Sequence, residues 1–532
     1  GATVPATTHP DAPDLVELLD RAASGRGTVR FADDRSTPVG VARLWAQAAR
    51  VQHRLRPTGP SDPPRVAVLL RASGPSVATL LGIWRAGGTA ASLPLPVRTA
   101  APDAYGALLD RLCRAAEVDL VAVDPDVAAL LPPLATPVAL TTELGRGPAA
   151  SEPVGGGHLV QCSSGTTSDP KGIDVALTAV AHNVEAILER LELGPRCRTV
   201  SWLPLSHDMG LVGMLLATLV NLAPDRCDGG ELTLLHPEEF LADPRVWFRT
   251  LADARATVTA GPAFALARVL RLPHLGGADL SSLEALICGG ERIDPDLLGR
   301  FEAAATDAGG RPGAIRPAYG MAEATLAVSI TGREGWRAVS TPDAAGGLVT
   351  CGPPLSGTEV RIDHDGRIAV RSPSLFGGYV GGDHRPARDA DGWFRTSDTG
   401  RLDGRDLVVA GRCDDVLVIR GRNVSALDLE ATVARTITTG ACSSVRPGAV
   451  GMVTGEDGAL VLALEAVVGA DRQDLDRHLR GIESALRADH GVRPDRVCLL
   501  EPGALPRTTS GKLRRHRLRA VVDAAPTPTS AP

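Results

Sequence analysis

Residues 158–172 read HLVQCSSGTTSDPKG. A short apolar strand runs straight into a loop of Gly, Ser and Thr that ends on a lysine. Backbone amides and hydroxyls in such a loop can wrap anionic oxygens, and a nearby ammonium adds charge. The loop is not a Walker loop, because GTTSDPKG lacks the second glycine before the lysine. The lysine itself is informative. Of 56 Lys and Arg residues only two are lysine, Lys171 here and Lys512 in LPRTTSGKLRR, residues 505–515. Both lie in Ser/Thr/Gly-rich segments. A compact ammonium suits a tight phosphate contact where a planar guanidinium fork does not fit, so two separate phosphate contacts are expected. The second segment is not a Walker loop either, since Leu513 stands where a Ser or Thr would hold magnesium.

Outward from the loop, short apolar runs alternate with helical patterns. RVAVLL (65–70) reads as a buried strand, PSVATLLGIWRAGG (75–88) as a helix stopped by glycine, LVAV (120–123) as a strand, and SLEALICGGE as a strand ending at Gly289. This alternation predicts mostly parallel sheets covered by helices. After about residue 350 the rhythm changes to short strands between Gly, Pro and Asp turns. From Arg412 onward it becomes a compact α+β pattern, with VLVIRG, a helix over ALDLEATVARTI, ALVLALEAVV, a long helix from Arg472, and VCLLE. The expected organisation is therefore α/β and multi-domain. Residues 14–411 form the large N-terminal domain with a β-rich part over 346–411, residues 412–414 a hinge, and residues 415–523 a small α+β domain. Residues 1–13 and 524–532, rich in Pro, Thr and Ala, read as disordered tails.

The composition is that of a globular protein, with 44% hydrophobic and 22% charged residues. A net charge of −6 gives no field for nucleic acid, and RRHRLR (514–519) reads as a solvated helix face. The nine cysteines are scattered singly, without zinc spacing, and are expected to be reduced thiols of a cytoplasmic protein. LVGMLLATLVNLA (211–223) is too short to span a bilayer, and no signal peptide is visible.

Six segments occur in a telling order: SSGTTSDPKG, SWLPLSHDMGL, AYGMAEATL, TSDTG, GRCDDVLVIRGRN and PRTTSGK. In that order the chain resembles the adenylate-forming superfamily of acyl-CoA synthetases, peptide-synthetase adenylation domains and luciferases. HDMGL, YGMAEATL and RGRN are most similar to fatty acyl-AMP ligases. The resemblance implies a large N-terminal domain and a small mobile C-terminal one. It implies that ATP and magnesium activate a carboxylic acid to an acyl-adenylate with loss of pyrophosphate, and that the acyl group then passes to a thiol. Such chemistry needs positioning and charge neutralisation more than acid–base work.

The same resemblance implies roles residue by residue. Ser163, Ser164, Gly165, Thr166, Thr167 and Lys171 would hold the β- and γ-phosphates, and Glu323, with Thr166, the magnesium ion. Gly289, Gly290, Glu291, Ala318, Tyr319, Gly320 and Met321 would line the adenine slot. Asp398 would accept from the ribose hydroxyls, with Arg412 as second ribose contact and Asp414 as hinge. Lys512 would neutralise the α-phosphate and the entering carboxylate in one pose of the C-terminal domain. A lone histidine is more often structural, but His207 falls where the superfamily places its acyl gate. Asp208 fits both the fatty acyl-AMP ligase pattern and an aspartate that binds an α-ammonium.

Met209, Val212, Met214, Phe264 and Leu326 are candidates for an apolar acyl pocket, with Gly210, Gly213 and Ala263 leaving space. Ser168 stands where the superfamily loop usually has glycine. Only SITGREGWRAVSTPDAAGG separates AEATLAV from LVTCG, so the insertion thought to bar CoA in the most similar ligases is shortened here. CoA and a carrier-protein phosphopantetheine are both expected acceptors. An amino-acid-activating domain is the alternative, and a binding protein that has lost turnover a third reading, opposed by the intact set of Thr166, Lys171, Glu323, Asp398, Arg412 and Lys512.

Overall fold

A computed structural model describes residues 3–4, 14–55, 63–95, 102–150, 152–163, 171–341, 344–380, 388–419, 422–440, 444–455, 458–467, 472–507 and 513–524. Two large sheets dominate it. The first has seven strands in the order Gly378–Val380, Lys171–Ala176, His158–Ser163, Thr89–Leu93, Arg65–Leu69, Leu120–Val123 and Val138–Leu140. Its last five strands are parallel, and Lys171–Ala176 folds back antiparallel on His158–Ser163. The second has eight strands, in the order Ala327–Ile330, Ile315–Gly320, Ala285–Cys288, Val258–Gly261, Arg198–Ser201, Glu231–Leu234, Thr28–Phe31 and Asp34–Gly40. Strands such as Ala285–Cys288 are buried at every residue, which is why they read as unbroken apolar runs rather than alternating ones.

The helix Gly74–Arg85 shows how local sequence sets these elements. Ser73 caps it by accepting from the Ser76 amide at 3.2 Å, and a proline occupies its first turn. Its residues from Ser76 to Arg85 are all buried, so it is apolar all round. One continuous core joins both sheets to the helices Leu15–Ala23 and Leu177–Leu191.

A third, antiparallel sheet of five strands contains Glu359–Ile362, Arg367–Arg371, Phe394–Asp403 and Asp406–Arg412. Its fifth, edge strand is Thr3–Val4, paired with Arg361 and Val360. This corrects the reading of residues 1–13 as a wholly disordered tail. Two β-branched residues suit an extended edge, and the open face of Glu359–Ile362 offers unpaired amides and carbonyls to satisfy.

Past Arg412 the chain builds separate cores. They comprise the hairpin Val416–Ile419 with Arg422–Ser425, the sheet Val445–Thr454, Leu460–Ala466 and Arg496–Leu500, and the helices Ala426–Thr439, Arg472–His490 and Arg515–Ala524. The molecule is thus a mixed α/β protein with a large N-terminal part and a smaller C-terminal one. No described helix is long and apolar enough to cross a membrane. The described cysteines are all free.

Candidate active site

Parallel sheets place their working loops at the carboxyl ends of the strands. Strand Ile315–Gly320 carries Tyr319 near such an end, 8% exposed. The Tyr319 hydroxyl donates to Asp398 Oδ2 at 2.6 Å. Asp398 sits in strand Phe394–Asp403 directly across from Arg412, whose Nε lies 3.7 Å from the other carboxylate oxygen. One oxygen of Asp398 thus receives a phenol and the other faces a guanidinium. Burial, reinforced by the charge of Asp398 and the bond to it, pushes the Tyr319 phenol well above its ordinary value.

After Gly320 the chain makes a tight turn, Ala322–Ala324, that presents Glu323. Gly320 is needed for close approach, since any Cβ there would strike the carbonyl of Leu326. The turn ends on Thr325, whose φ of 67° and ψ of −59° are costly for a β-branched residue, on the order of 1–3 kcal/mol. Its neighbours hold it there. Thr325 Oγ1 donates to the Ser374 carbonyl at 2.7 Å, and Gln161 Nε2 donates to the Thr325 carbonyl at 2.8 Å. Gln161 belongs to the seven-stranded sheet, so this bond ties the two large sheets together at Glu323.

Glu323 Oε1 accepts from the Tyr379 hydroxyl at 3.0 Å. Tyr379 lies on strand Gly378–Val380, opposite Ile173, and Val380 pairs with Gly172, the residue after Lys171. Glu323 therefore stands beside the strand that begins at Lys171, and Lys171 pairs in turn with Ser163. The backbone brings the two ends of the Gly/Ser/Thr loop to the Glu323 turn. Ser164, Gly165, Thr166, Thr167 and Lys512 lie outside the described residues. Ser163 and Lys171 are described as strand backbone only, and Asp414 as part of the turn Cys413–Asp415. Sequence reasoning missed Tyr379. A usable signal existed, because the chain has only three tyrosines and two of them meet here.

The other wall is apolar. His207 Nδ1 lies 2.6 Å from Asp208 Oδ1, and Asp208 also accepts from the Met209 amide at 2.7 Å, capping the π-helix Met209–Leu216. A π-helix of eight residues is rare and such segments concentrate at functional sites. Met209 reaches the turn after strand Ala285–Cys288, its Cε 3.2 Å from where a Cβ on Gly290 would sit. Gly290 itself needs glycine, with φ of 84°. Gly289 abuts the Ala318 carbonyl, so the two glycines, Ala318 and Tyr319 do come together. Glu291 accepts from the Phe264 amide at 2.7 Å, and Phe264, partly exposed, packs edge-on against Trp202. Val212 and Met214 are buried in the core, whereas Leu326 and Met321 are partly exposed. The next residue after Glu291, Arg292, pairs with Asp428 of helix Ala426–Thr439 at 2.5 Å and links this turn to the C-terminal part.

A cleft of about 440 Å³ lies elsewhere, lined by Glu185, Glu189, Glu192 and Arg226. Its Arg226–Glu185 pair, at 2.6 Å, marks it as a solvated charged groove without any residue of the constellation above.

The family model for AMP-binding enzymes matches residues 18–380. The chain belongs to the AMP-binding enzyme family. It is 30% identical over 556 residues to the long-chain-fatty-acid–AMP ligase FadD26 of Mycobacterium tuberculosis, with 91% of this chain and 92% of that one covered. Among solved structures it is similar to one from a study of fatty acyl-adenylate ligases of E. coli and L. pneumophila. The TM-score is 0.86 at 25% identity, over 97% of this chain and 99% of that one. The adenylation–carrier didomain of McyG, solved with phenylalanyl-adenylate, shares the fold, with TM-score 0.82 at 20% identity over 98% and 85% of the two chains. This AMP-binding enzyme therefore carries its Tyr319–Asp398 and Glu323–Tyr379 pairs on the fold common to acyl- and aminoacyl-adenylate formers.

Proposed function

We propose that this enzyme uses ATP and magnesium to convert a hydrophobic carboxylic acid to an acyl-adenylate, then passes the acyl group to the thiol of CoA or of a carrier-protein phosphopantetheine. The observation that carries this reading is the junction at Met209. Met209 Cε lies 3.2 Å from where a Cβ on Gly290 would sit, and Leu326 packs over Gly213 of the same buried helix. The turn assigned to the nucleotide thus borders an apolar helix.

In the first half-reaction a carboxylate oxygen attacks the α-phosphorus. The bond from that phosphorus to the bridging oxygen breaks, and pyrophosphate leaves with the electron pair. Asp398, held by Tyr319 and Arg412, is assigned to the ribose hydroxyls, and Gly289, Gly290, Glu291, Ala318, Gly320 and Met321 to the base. Lys171, with Thr166 and Thr167, is assigned to the leaving phosphates and Lys512 to the α-phosphate and the entering carboxylate, where neutralisation lets two anions meet. A hard divalent cation fits the carboxylate of Glu323. Tyr379 donates to one of its oxygens, and the remaining acceptor positions of the carboxylate would hold the cation. When bound, magnesium supplies further charge neutralisation on the phosphate oxygens.

In the second half-reaction a thiolate attacks the acyl carbonyl and AMP departs. We assign the turn at Arg412–Asp414 as the hinge between residues 14–411 and 415–523. Rotation there would withdraw Lys512 and bring the acceptor in. The segment after Glu323 includes a hairpin, Ala338–Thr341 with Ala344–Val349. Asp208 is engaged by His207 and by its own helix cap, which favours an apolar acid over an amino acid.

The test is ATP–pyrophosphate exchange against fatty, aryl, terpenoid and amino acids, followed by thioester detection with CoA and with carrier protein. Exchange stimulated by apolar acids supports the reading. Stimulation by amino acids alone, or by no acid, overturns it.

A further inference from the structure

We infer that Arg515 is a positioning residue for the adenylate-forming half-reaction. It clamps the helix that begins just after Lys512 to the first residue past the hinge, so that the Lys512 segment and the hinge move as one body. This rests on the roles proposed above for Lys512 and for Arg412–Asp414, and names the part that joins them.

The helix Arg515–Ala524 opens on Arg515, whose side chain is 12% exposed. Its guanidinium makes four hydrogen bonds to three separate segments. Nε donates to Asp415 Oδ1 at 2.6 Å, in the turn Cys413–Asp415. Nη1 and Nη2 donate to the two oxygens of Glu430, at 2.5 and 2.9 Å, on helix Ala426–Thr439. Nη1 also donates to the Met452 carbonyl at 3.0 Å, while Glu430 Oε1 accepts from the Met452 amide at 2.7 Å. A planar fork can serve two carboxylates and a carbonyl at once, which a lysine ammonium cannot do in this geometry.

Both carboxylates are largely buried as well. Removing one member of such a cluster is costly, because the charge left behind stays desolvated. The Glu430 contact lies wholly within the C-terminal part and accounts for stability alone. The contact to Asp415 does something further. Asp415 is where the chain enters the C-terminal part from the hinge. Pinned to Arg515, it passes a change of backbone angle at the hinge straight to helix Arg515–Ala524, without relying on the long intervening chain.

The same helix follows the segment that contains Lys512. Arg507 and Leu513, on either side of that segment, pair as an isolated antiparallel bridge, and the Arg514 amide donates to the Pro506 carbonyl at 2.7 Å. Arg507 Nη2 donates to the Gly448 carbonyl at 2.8 Å, and Leu513 Cδ2 lies 3.1 Å from where a Cβ on Gly451 would sit. Both ends of the Lys512 segment thus meet at one neck, seated on strand Val445–Thr454. Arg515 stands just past that neck and fixes it relative to the hinge.

The experiment follows both half-reactions by single turnover in the full chain, with an acid that supports exchange. The variants are Arg515→Lys, Asp415→Asn, Lys512→Ala, and Lys512→Ala combined with each of the first two, with a thermal melt beside each. Arg515→Lys and Asp415→Asn should each slow acyl-adenylate formation about tenfold or more, within the roughly hundredfold that a displacement of about 1 Å can cost. Transfer from preformed acyl-adenylate should fall far less. In the Lys512→Ala background neither substitution should slow adenylate formation further, because residues that act through one group are not additive. Asp415→Asn leaves the Glu430 contact in place and keeps the test alive if Arg515→Lys does not fold. Equal losses in both half-reactions, losses that multiply with that of Lys512→Ala, or no loss in either variant overturn the inference and leave Arg515 a structural ion pair. Lys512→Ala that spares adenylate formation is a different result, since it overturns the role of Lys512 and this inference falls with it. A wild type that no acid stimulates overturns the acid-activating reading itself.

Discussion

The two sides of the candidate site are held in place by different physics. On one side Tyr319 donates to Asp398 and Tyr379 to Glu323, each a hydrogen bond to a carboxylate, and Arg412 lies within ion-pair distance of Asp398. Such bonds are directional, and a buried partner left unpaired costs about 1–3 kcal/mol, so each group has one tolerable identity. The opposite wall, Met209–Leu216 with Leu326, is held by packing, which is not directional. There, volume matters and identity matters less. A wall that must meet charge developing on phosphate is preorganised atom by atom.

The largest test of that contrast lies at Lys512. Lys512→Ala should lower acyl-adenylate formation by about a hundredfold or more, as loss of a preorganised charge contact does. Transfer from preformed acyl-adenylate should fall much less. Single-turnover measurements of the two half-reactions check this, and equal losses would break the link between Lys512 and the polar wall.

Asp398→Asn keeps shape and removes charge. It should weaken ATP use by roughly tenfold, the worth of a hydrogen bond to an ionised group. The KM for ATP, measured beside a thermal melt, separates this from general instability.

A third test uses pH. Burial, with help from nearby carboxylates at Tyr319 and Tyr379, raises all three tyrosines above 10.0. The unfolded chain ionises its tyrosines near pH 10.0. Above that pH the folded state binds more protons than the unfolded one, so stability should fall as pH rises through this range. An alkaline titration should show tyrosinate absorbance appearing together with unfolding and not before. Early, reversible ionisation of one tyrosine in the folded protein would mean that a phenol of the polar wall is not held as described.

On the apolar wall the effect should be smallest. Met209→Leu conserves volume and should cost under about 1.5 kcal/mol in a denaturant melt. It should change activity less than Asp398→Asn does. A larger loss from Met209→Leu would show that the thioether is doing something packing does not explain.

Much of the polar wall could be read from residue order. Tyr319, Glu323, Asp398 and Arg412 sit in short motifs that resemble those of the superfamily, and the structure brings Tyr319 and Arg412 to Asp398. Their partners could not be read. Tyr379 lies 56 residues from Glu323 and meets it only because its strand adds to the edge of the seven-stranded sheet. The strained Thr325 was equally hidden, since its backbone angles are imposed by Gln161 and Ser374 from distant segments. The pair Arg292–Asp428, joining the glycine turn to the C-terminal helix, gave no local signal. The apolar wall was read least well. Hydrophobic pattern marks residues 211–223 as buried but does not say which of them faces a ligand. Val212 and Met214 were natural candidates, and both are packed away in the core.

The amino-acid sequence by itself determined the layered α/β architecture, because apolar periodicity and turn residues act over a few neighbours. It also marked, through motif order, the residues proposed to hold a nucleotide. Only the tertiary structure decided which oxygens are shared, which backbone is strained and where empty space remains. Those depend on contacts between segments tens to hundreds of residues apart, and the shape of a void is a property of all its walls at once.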